Sequence, residues 1–290
     1  MNNKVYEVVT AQVTNALMRG VVPWRKPWSG GNAMPTNARS RKPYRGVNVF
    51  LLSLSPYTDH RWVTFQQAKE LGGTVKRGER ASPVVFWKPW HVEGVDQETG
   101  EVLKWNVPVL KQYHVFNVEQ CENLDISPLM RSDSKAHSRL ERADEVLKAV
   151  PDPPKFQEQG SSAWYRPAED LVQVPPIASF ESADLYYTTV FHEYGHATGH
   201  EKRLNRASVT GEIQFGSACY SREELIAELT AAFCCATVGL DNSLVENSAS
   251  YIQSWLSALR SDKRAVVVAA SKAQKAADYL LGVSFDDQPI

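Results

Sequence analysis

Apolar positions along this chain recur at helical spacing near its start, alternate or run together between residues 84 and 118, and return to helical spacing through its last third. Tyr6, Val9, Val13 and Leu17 form one stripe, so residues 3–19 read as an amphipathic helix ended by Gly20. A Pro/Gly/Asn-rich stretch follows from Pro23 to about Asn48, with aromatics and arginines threaded through it. Thr64–Leu71 reads as a short helix stopped by Gly72-Gly73. Val84–Trp90 and Leu103–Val118 read as strands joined by a loop around Asp96–Gly100. A helix is expected over Ser138–Val150, closed by Pro151-Asp152-Pro153-Pro154, then a strand pair within Trp164–Val174. Helices are expected over Ser182–His200 and Ser221–Val238. Two more are marked by Ile252, Trp255, Leu256 and Leu259, and by Val266, Ala270, Ala273, Ala277 and Leu280.

This order predicts an α+β fold in two parts: a compact α+β unit over residues 1–126 and a mostly helical unit with a small sheet over 137–290. A linker of small polar residues is expected at about 127–136, although the proline cluster at 151–154 offers another place for the cut. The charge divides in the same sense. Residues 1–90 hold 14 Lys/Arg against 4 Asp/Glu, a net +10, and the remaining 18 basic and 29 acidic residues give −11. Halves of opposite sign point to different partners. Cys121, Cys219, Cys234 and Cys235 include no C-x-x-C pair, which argues against a disulfide framework or zinc ribbon and for free thiols in a reducing compartment. Without the apolar core of a signal peptide or a run of membrane-spanning length, a cytoplasmic protein with no membrane partner is expected.

His192-Glu193-Tyr194-Gly195-His196 is an H-E-x-x-H motif. On a helix it sets two imidazoles one turn apart, able to share a zinc-type ion, with Glu193 placed to take a proton from water activated there. The x positions are uncharged and Gly195 permits close packing. A third ligand is required. The extended pattern would put a histidine at 202, but Lys202 stands there, and His200 follows a glycine that can end the helix. Glu224 and Glu228 share a face of the next helix, and in the gluzincin arrangement one glutamate binds metal while an acid one turn on orients a ligand histidine. That favours Glu224 as ligand. Ser221-x-x-Glu224 also reads as a capping box, which would turn Glu224 back and leave Glu228 as ligand. The ligand set suits one divalent ion, zinc first, with manganese or cobalt also accommodated. A strand between Tyr165 and Val174 could align a peptide by strand addition.

The basic half interleaves cations with aromatics. Trp24, Arg25, Lys26 and Trp28 precede Arg39, Arg41, Lys42, Tyr44 and Arg45, and Lys76, Arg77 and Arg80 come later. Six of the eight tryptophans fall in the first 105 residues, so rings able to stack on bases accompany charges able to track phosphates. That combination suits single-stranded nucleic acid, whereas each tryptophan taken alone reads more readily as a core residue.

The chain resembles the ArdC-type antirestriction proteins of conjugative plasmids. The resemblance rests on Pro23-Trp24-Arg25-Lys26-Pro27-Trp28, Arg41-Lys42-Pro43-Tyr44-Arg45-Gly46-Val47-Asn48 and Trp62-Val63-Thr64-Phe65-Gln66-Gln67-Ala68. It continues through Gly78-Glu79-Arg80, Val84-Val85-Phe86-Trp87, the stretch from His192 to His200 and Glu223-Glu224-Leu225-Ile226-Ala227-Glu228-Leu229. It implies an N-terminal single-stranded-DNA-binding domain, a C-terminal zincin-like metallopeptidase domain of gluzincin type, and protection of incoming plasmid DNA from host restriction. The protein substrate, a restriction-system component among the candidates, is not implied. A rival reading is a DNA-binding protein that blocks restriction enzymes without hydrolysis, its metal site structural or idle.

Overall fold

A computed structural model describes residues 3–25, 34–95, 102–126, 136–211, 218–242 and 249–284. Helix α1 (Asn3–Met18) forms on the expected stripe, with Tyr6, Val9, Val13 and Leu17 all buried. Gly20, at a φ of 74°, turns the chain out of it. There follow β1 (Thr36–Asn37), α2 (Val47–Ser53), β2 (Arg61–Val63), α3 (Phe65–Glu70), β3 (Thr74–Val75), β4 (Ser82–Val95), β5 (Val102–Asn117) and β6 (Cys121–Glu122). Strands run β1-β2-β5-β4 in one sheet, and β3 pairs with β6. Helix α3 starts on a capping box between Thr64 and Gln67. Helix α2 had no sequence signature, because residues 47–52 are buried on every side and an all-round apolar helix has no stripe. The β4–β5 hairpin is longer than the alternation suggested, pairing from Ser82↔Val115 to Val95↔Val102.

The second half contains α4 (Ala136–Ala149), β7 (Lys155–Glu158), β8 (Trp164–Arg166), β9 (Leu171–Val174), α5 (Ala183–Ala197), α6 (Ala207–Thr210), α7 (Ala218–Val238), α8 (Ala249–Ser261) and α9 (Ala265–Leu281). The sheet order is β7-β9-β8, with β7 parallel and β8 antiparallel to β9. Central β9 buries Val172 and Val174 against the helices. Helices α5, α7 and α9 form the layer beneath. Gly195 permits the α5–α7 approach, since a Cβ there would lie 3.1 Å from the Ala227 Cα. This is the expected α+β architecture. No helix among the described residues is long and apolar enough to cross a membrane. The expected linker at 127–136 and the loop at 96–100 lie outside the described residues, apart from Ala136 at the start of α4.

The larger hydrophobic core draws from both ends of the chain. Phe50 of α2 stacks on Phe233 of α7 with centroids 5.0 Å apart, and Trp24 meets Trp255 of α8 at 5.1 Å. Burying rings of this size stabilises by roughly 1.5–3 kcal/mol each. Trp24, just after α1, is therefore fastened to α8, and α2 to α7, the helix packed against the one that carries the H-E-x-x-H segment.

Candidate metal centre

Helix α5 is capped by Ser182, whose Oγ accepts the Leu185 N–H at 3.2 Å, and runs unbroken through His192 and His196. The two Nε2 atoms come within 3.2 Å of each other, the rings nearly perpendicular at 81°. From α7, Glu224 brings one oxygen to 3.6 Å from His192 Nε2 and the other to 3.5 Å from His196 Nε2. One ligand atom from each of the three residues fits within a 4.8 Å span. Two imidazoles and a carboxylate meeting in this way fit a zinc-type divalent ion.

Behind each imidazole stands another carboxylate. Glu228 Oε1 lies 3.8 Å from His192 Nδ1, and Glu223 Oε1 lies 3.6 Å from His196 Nδ1. Each carboxylate is gripped by an arginine. Arg25 donates to both oxygens of Glu228, from Nη2 at 2.6 Å and Nε at 3.2 Å. Arg206 donates to Glu223 from Nη2 and, at 3.3 Å, from Nε, with Ser208 Oγ–H as a further donor. Burial pulls the His192 pKa down, but contact with Glu224 and the fields of Glu193, Glu228 and Glu224 outweigh it, lifting it to about 9. Burial would raise the Glu223 carboxyl, yet His196 and Arg206 hold it down at about 2.

Glu193 faces the same space. Burial raises its pKa, opposed by the two histidines, and the Tyr165 backbone N–H donates to its carboxylate. Tyr165 lies on β8, an edge of its sheet, so the glutamate and an open strand edge adjoin. The strand expectation therefore narrows to Trp164–Arg166: β9 is paired on both sides and has no free edge.

Helix α7 starts at Ala218, so Ser221 lies inside it and cannot cap it; Glu224 is not turned back. The residues brought together are thus His192, His196 and Glu224, with Glu228 behind His192. Helix α5 stops at Ala197, which carries His200 into a turn where its Nδ1 accepts the Lys202 N–H at 3.3 Å, away from the cluster. Glu223, Arg206 and Ser208 were missed. The turn that returns Arg206 beneath α5, with Asn205 at a φ of 45°, carries no sequence signal.

The residues expected to contact nucleic acid divide. Trp24 is 0% exposed, and Tyr44 is buried in the small cluster under the hairpin, so neither ring can stack on a base. Arg25 is buried against Glu228. Lys26 and Trp28 lie outside the described residues. Arg45 pairs with Asp278, and exposed Arg39 pairs with Glu70. Arg41, Lys42, Lys76, Arg77 and Arg80 are exposed, with Lys76 Nζ donating to the Glu119 carbonyl. Sequence reading also missed a face of the β4–β5 hairpin. In its register Lys88, Trp90, Trp105 and Lys111 share one side with Tyr113. Trp90 and Trp105 are 55% and 47% exposed, and Lys111 Nζ lies 5.6 Å from the Trp90 ring centre. From Val84 to Val92 and from Trp105 to Tyr113 that face holds no carboxylate; Glu93 points to the other side.

Residues 3–116 match the N-terminal domain of the anti-restriction factor ArdC, and residues 141–272 match the zincin-like metallopeptidase family. An uncharacterized protein, y4eC of Sinorhizobium fredii, is 37% identical over 98% of this chain and 94% of its own. A DNA primase TraC of Escherichia coli is 35% identical over 95% of this chain, which spans only 27% of the primase. Among solved structures, the metal-free antirestriction ArdC protein from plasmid R388 is 37% identical, with 95% of this chain and 96% of that one covered at a TM-score of 0.75. Its Mn(II)-bound form is similar at a TM-score of 0.74. The chain therefore belongs to the ArdC antirestriction family, its second half a zincin-like metallopeptidase domain.

Proposed function

We propose that this protein is a metal-dependent peptidase directed to single-stranded DNA and acting in antirestriction, with residues 1–126 as the nucleic-acid-binding unit and 137–290 as the peptidase unit. The observation that carries the reading is the convergence of His192, His196 and Glu224 with Glu193 facing the same space. His192, His196 and Glu224 hold one divalent ion, zinc first, with manganese or cobalt as substitutes. When bound, the ion supplies a Lewis acid that polarises a carbonyl and lowers the pKa of water. Glu193 takes the proton from the attacking water and returns it to the leaving amine, a task suited to a carboxylate whose pKa burial has raised. The edge of β8 offers backbone groups to an extended peptide beside Glu193. A restriction-system protein is the first substrate to test.

Single-stranded DNA is read as the nucleic-acid partner because exposed Arg41, Lys42, Arg77 and Arg80 accompany the aromatic, cationic hairpin face. Glu193→Gln separates the parts. The variant should bind metal and oligonucleotide as wild type does, while peptide hydrolysis falls by roughly 10²–10⁴-fold. Undiminished hydrolysis would remove Glu193 from its role. Undiminished protection of DNA in cells would show that antirestriction proceeds without hydrolysis. Absence of oligonucleotide binding at low salt would remove the DNA part.

A further inference from the structure

Arg25 belongs by sequence to the basic, aromatic N-terminal segment, yet its guanidinium is buried in the opposite half of the chain. Both oxygens of Glu228 accept from it, at 2.6 and 3.2 Å, across a separation of 203 residues. The side chains are 8% and 15% exposed, and the guanidinium carbon lies 5.9 Å above the Trp255 ring. The adjoining Trp24 is fully buried, and its carbonyl accepts from Asn242 Nδ2 at 2.8 Å. Both ends of this arm are thus fixed. A fork-to-fork arginine–carboxylate pair sets the rotation of the carboxylate as well as its position. The Glu228 oxygen that receives the shorter bond is also the one facing His192 Nδ1, at 3.8 Å.

We propose that Arg25 is a positioning residue of the metal centre: it fixes Glu228, Glu228 faces His192 Nδ1, and His192 Nε2 is thereby presented to the ion. The peptidase site is then composite, completed by a residue from the half that matches the ArdC N-terminal domain. The inference rests on the metal centre proposed above. Without Arg25, Glu228 would be a poorly solvated carboxylate one helical turn from Glu224, and repulsion would favour its turning away from His192. Groups that orient a ligand histidine in this way are typically worth 10–100-fold in metal affinity. Simple Coulomb repulsion predicts the opposite sign, because removing a cation near a divalent ion should tighten binding. The direction of the change therefore discriminates between positioning and charge.

The test is calorimetric titration of Zn²⁺ into the metal-free full chain, comparing wild type, Arg25→Gln, Glu228→Gln, the double variant and Trp24→Phe. Each glutamine variant should lose roughly 10–100-fold in affinity. The double variant should lose no more than the worse single, because the two act through one path. Trp24→Phe, a packing change in the same seam, should lower the urea midpoint and leave zinc affinity alone. Unchanged or tighter binding by Arg25→Gln overturns the proposal. So does an additive double variant, or an equal affinity loss in Trp24→Phe. Should Arg25→Gln fail to fold, Arg25→Lys serves in its place: it keeps the charge and loses the fork, so weakened binding supports positioning and wild-type binding overturns it. If wild type itself takes up no zinc, the centre falls and this inference with it. If wild type binds and Arg25→Gln binds equally, the inference alone falls.

Discussion

His196 and His192 sit one turn apart on α5, and each turns its Nδ1 toward a carboxylate of α7 that an arginine holds, yet the two arginines come from distant parts of the chain. Arg206 lies 17 residues before Glu223, whereas Arg25 lies 203 residues before Glu228. The His196 side is the more deeply buried, with Arg206 and Glu223 each 5% exposed and Ser208 adding a donor. The His192 side is slightly more open and depends on the seam between the two halves. Equivalent chemistry is thus supported once by local folding and once by long-range packing. The first arrangement draws only on the zincin-like half; the second requires the N-terminal segment to be docked.

The largest effect should come from the residue common to both sides. Glu224→Ala removes the proposed third ligand and should reduce zinc affinity by more than the 10–100-fold expected for an outer partner. Equal affinity in that variant would show that the Nε2 atoms are completed by another group. Next come the arginines, read by urea unfolding of the metal-free protein. Arg206→Gln leaves Glu223 buried without its fork and should cost about 3–5 kcal/mol. Arg25→Gln, at the more open pair, should cost nearer 1.5–3 kcal/mol. A reversed order would mean that the seam, and not the turn after α5, is the stiffer support.

Acid sharpens the contrast. Glu223 is held at about 2 in the fold against an ordinary value of 4.5, so the unfolded chain takes up its proton first as pH falls. Its stabilising contribution is complete above the ordinary value and is lost as pH drops through the folded one. For a shift of this size that is about 3 kcal/mol. Stability of metal-free wild type should therefore decline between about pH 4.5 and 2, while Glu223→Gln begins less stable at neutral pH and declines less over that window. Parallel profiles would remove Glu223 as the main carrier of this acid sensitivity.

These contrasts also show which parts of the molecule could be read from sequence. The convergence of His192, His196 and Glu224 was legible because spacing within helices fixes which residues share a face. Whether Glu224 or Glu228 joins the two histidines turned on where α7 runs, and Ala218, already within it, lies three residues before the apparent capping serine. Arg206 was invisible because its position depends on a turn, and Arg25 because an arginine bound for a buried carboxylate has the same local composition as one bound for a phosphate. Helix α2 carried no stripe because it is buried all round. The strand reading stopped at Trp90 because the distal ribbon is open on both faces and has no core-facing alternation to declare it.

Tryptophan repeats the comparison between the buried seam and the surface, with the smallest expected effect. Trp24 and Trp90 both lie in the basic stretch, but Trp24 is 0% exposed and packs on Trp255, whereas Trp90 is 55% exposed beside Lys111. Changing Trp90 or Trp105 to alanine should leave thermal stability and zinc affinity nearly unchanged. Affinity for an oligothymidylate should fall by about 1–3 kcal/mol per ring lost, since each ring on this face can stack one base. Changing Lys88 and Lys111 to glutamine should act more weakly, flattening the log–log dependence of affinity on salt by about 0.7 per lysine. If the alanine variants bind the oligonucleotide as wild type does, the hairpin is not the stacking surface, and Arg41, Lys42, Arg77 and Arg80 are left to carry the contact. If instead the rings matter and the lysines do not, phosphate contacts lie elsewhere and the hairpin contributes stacking alone.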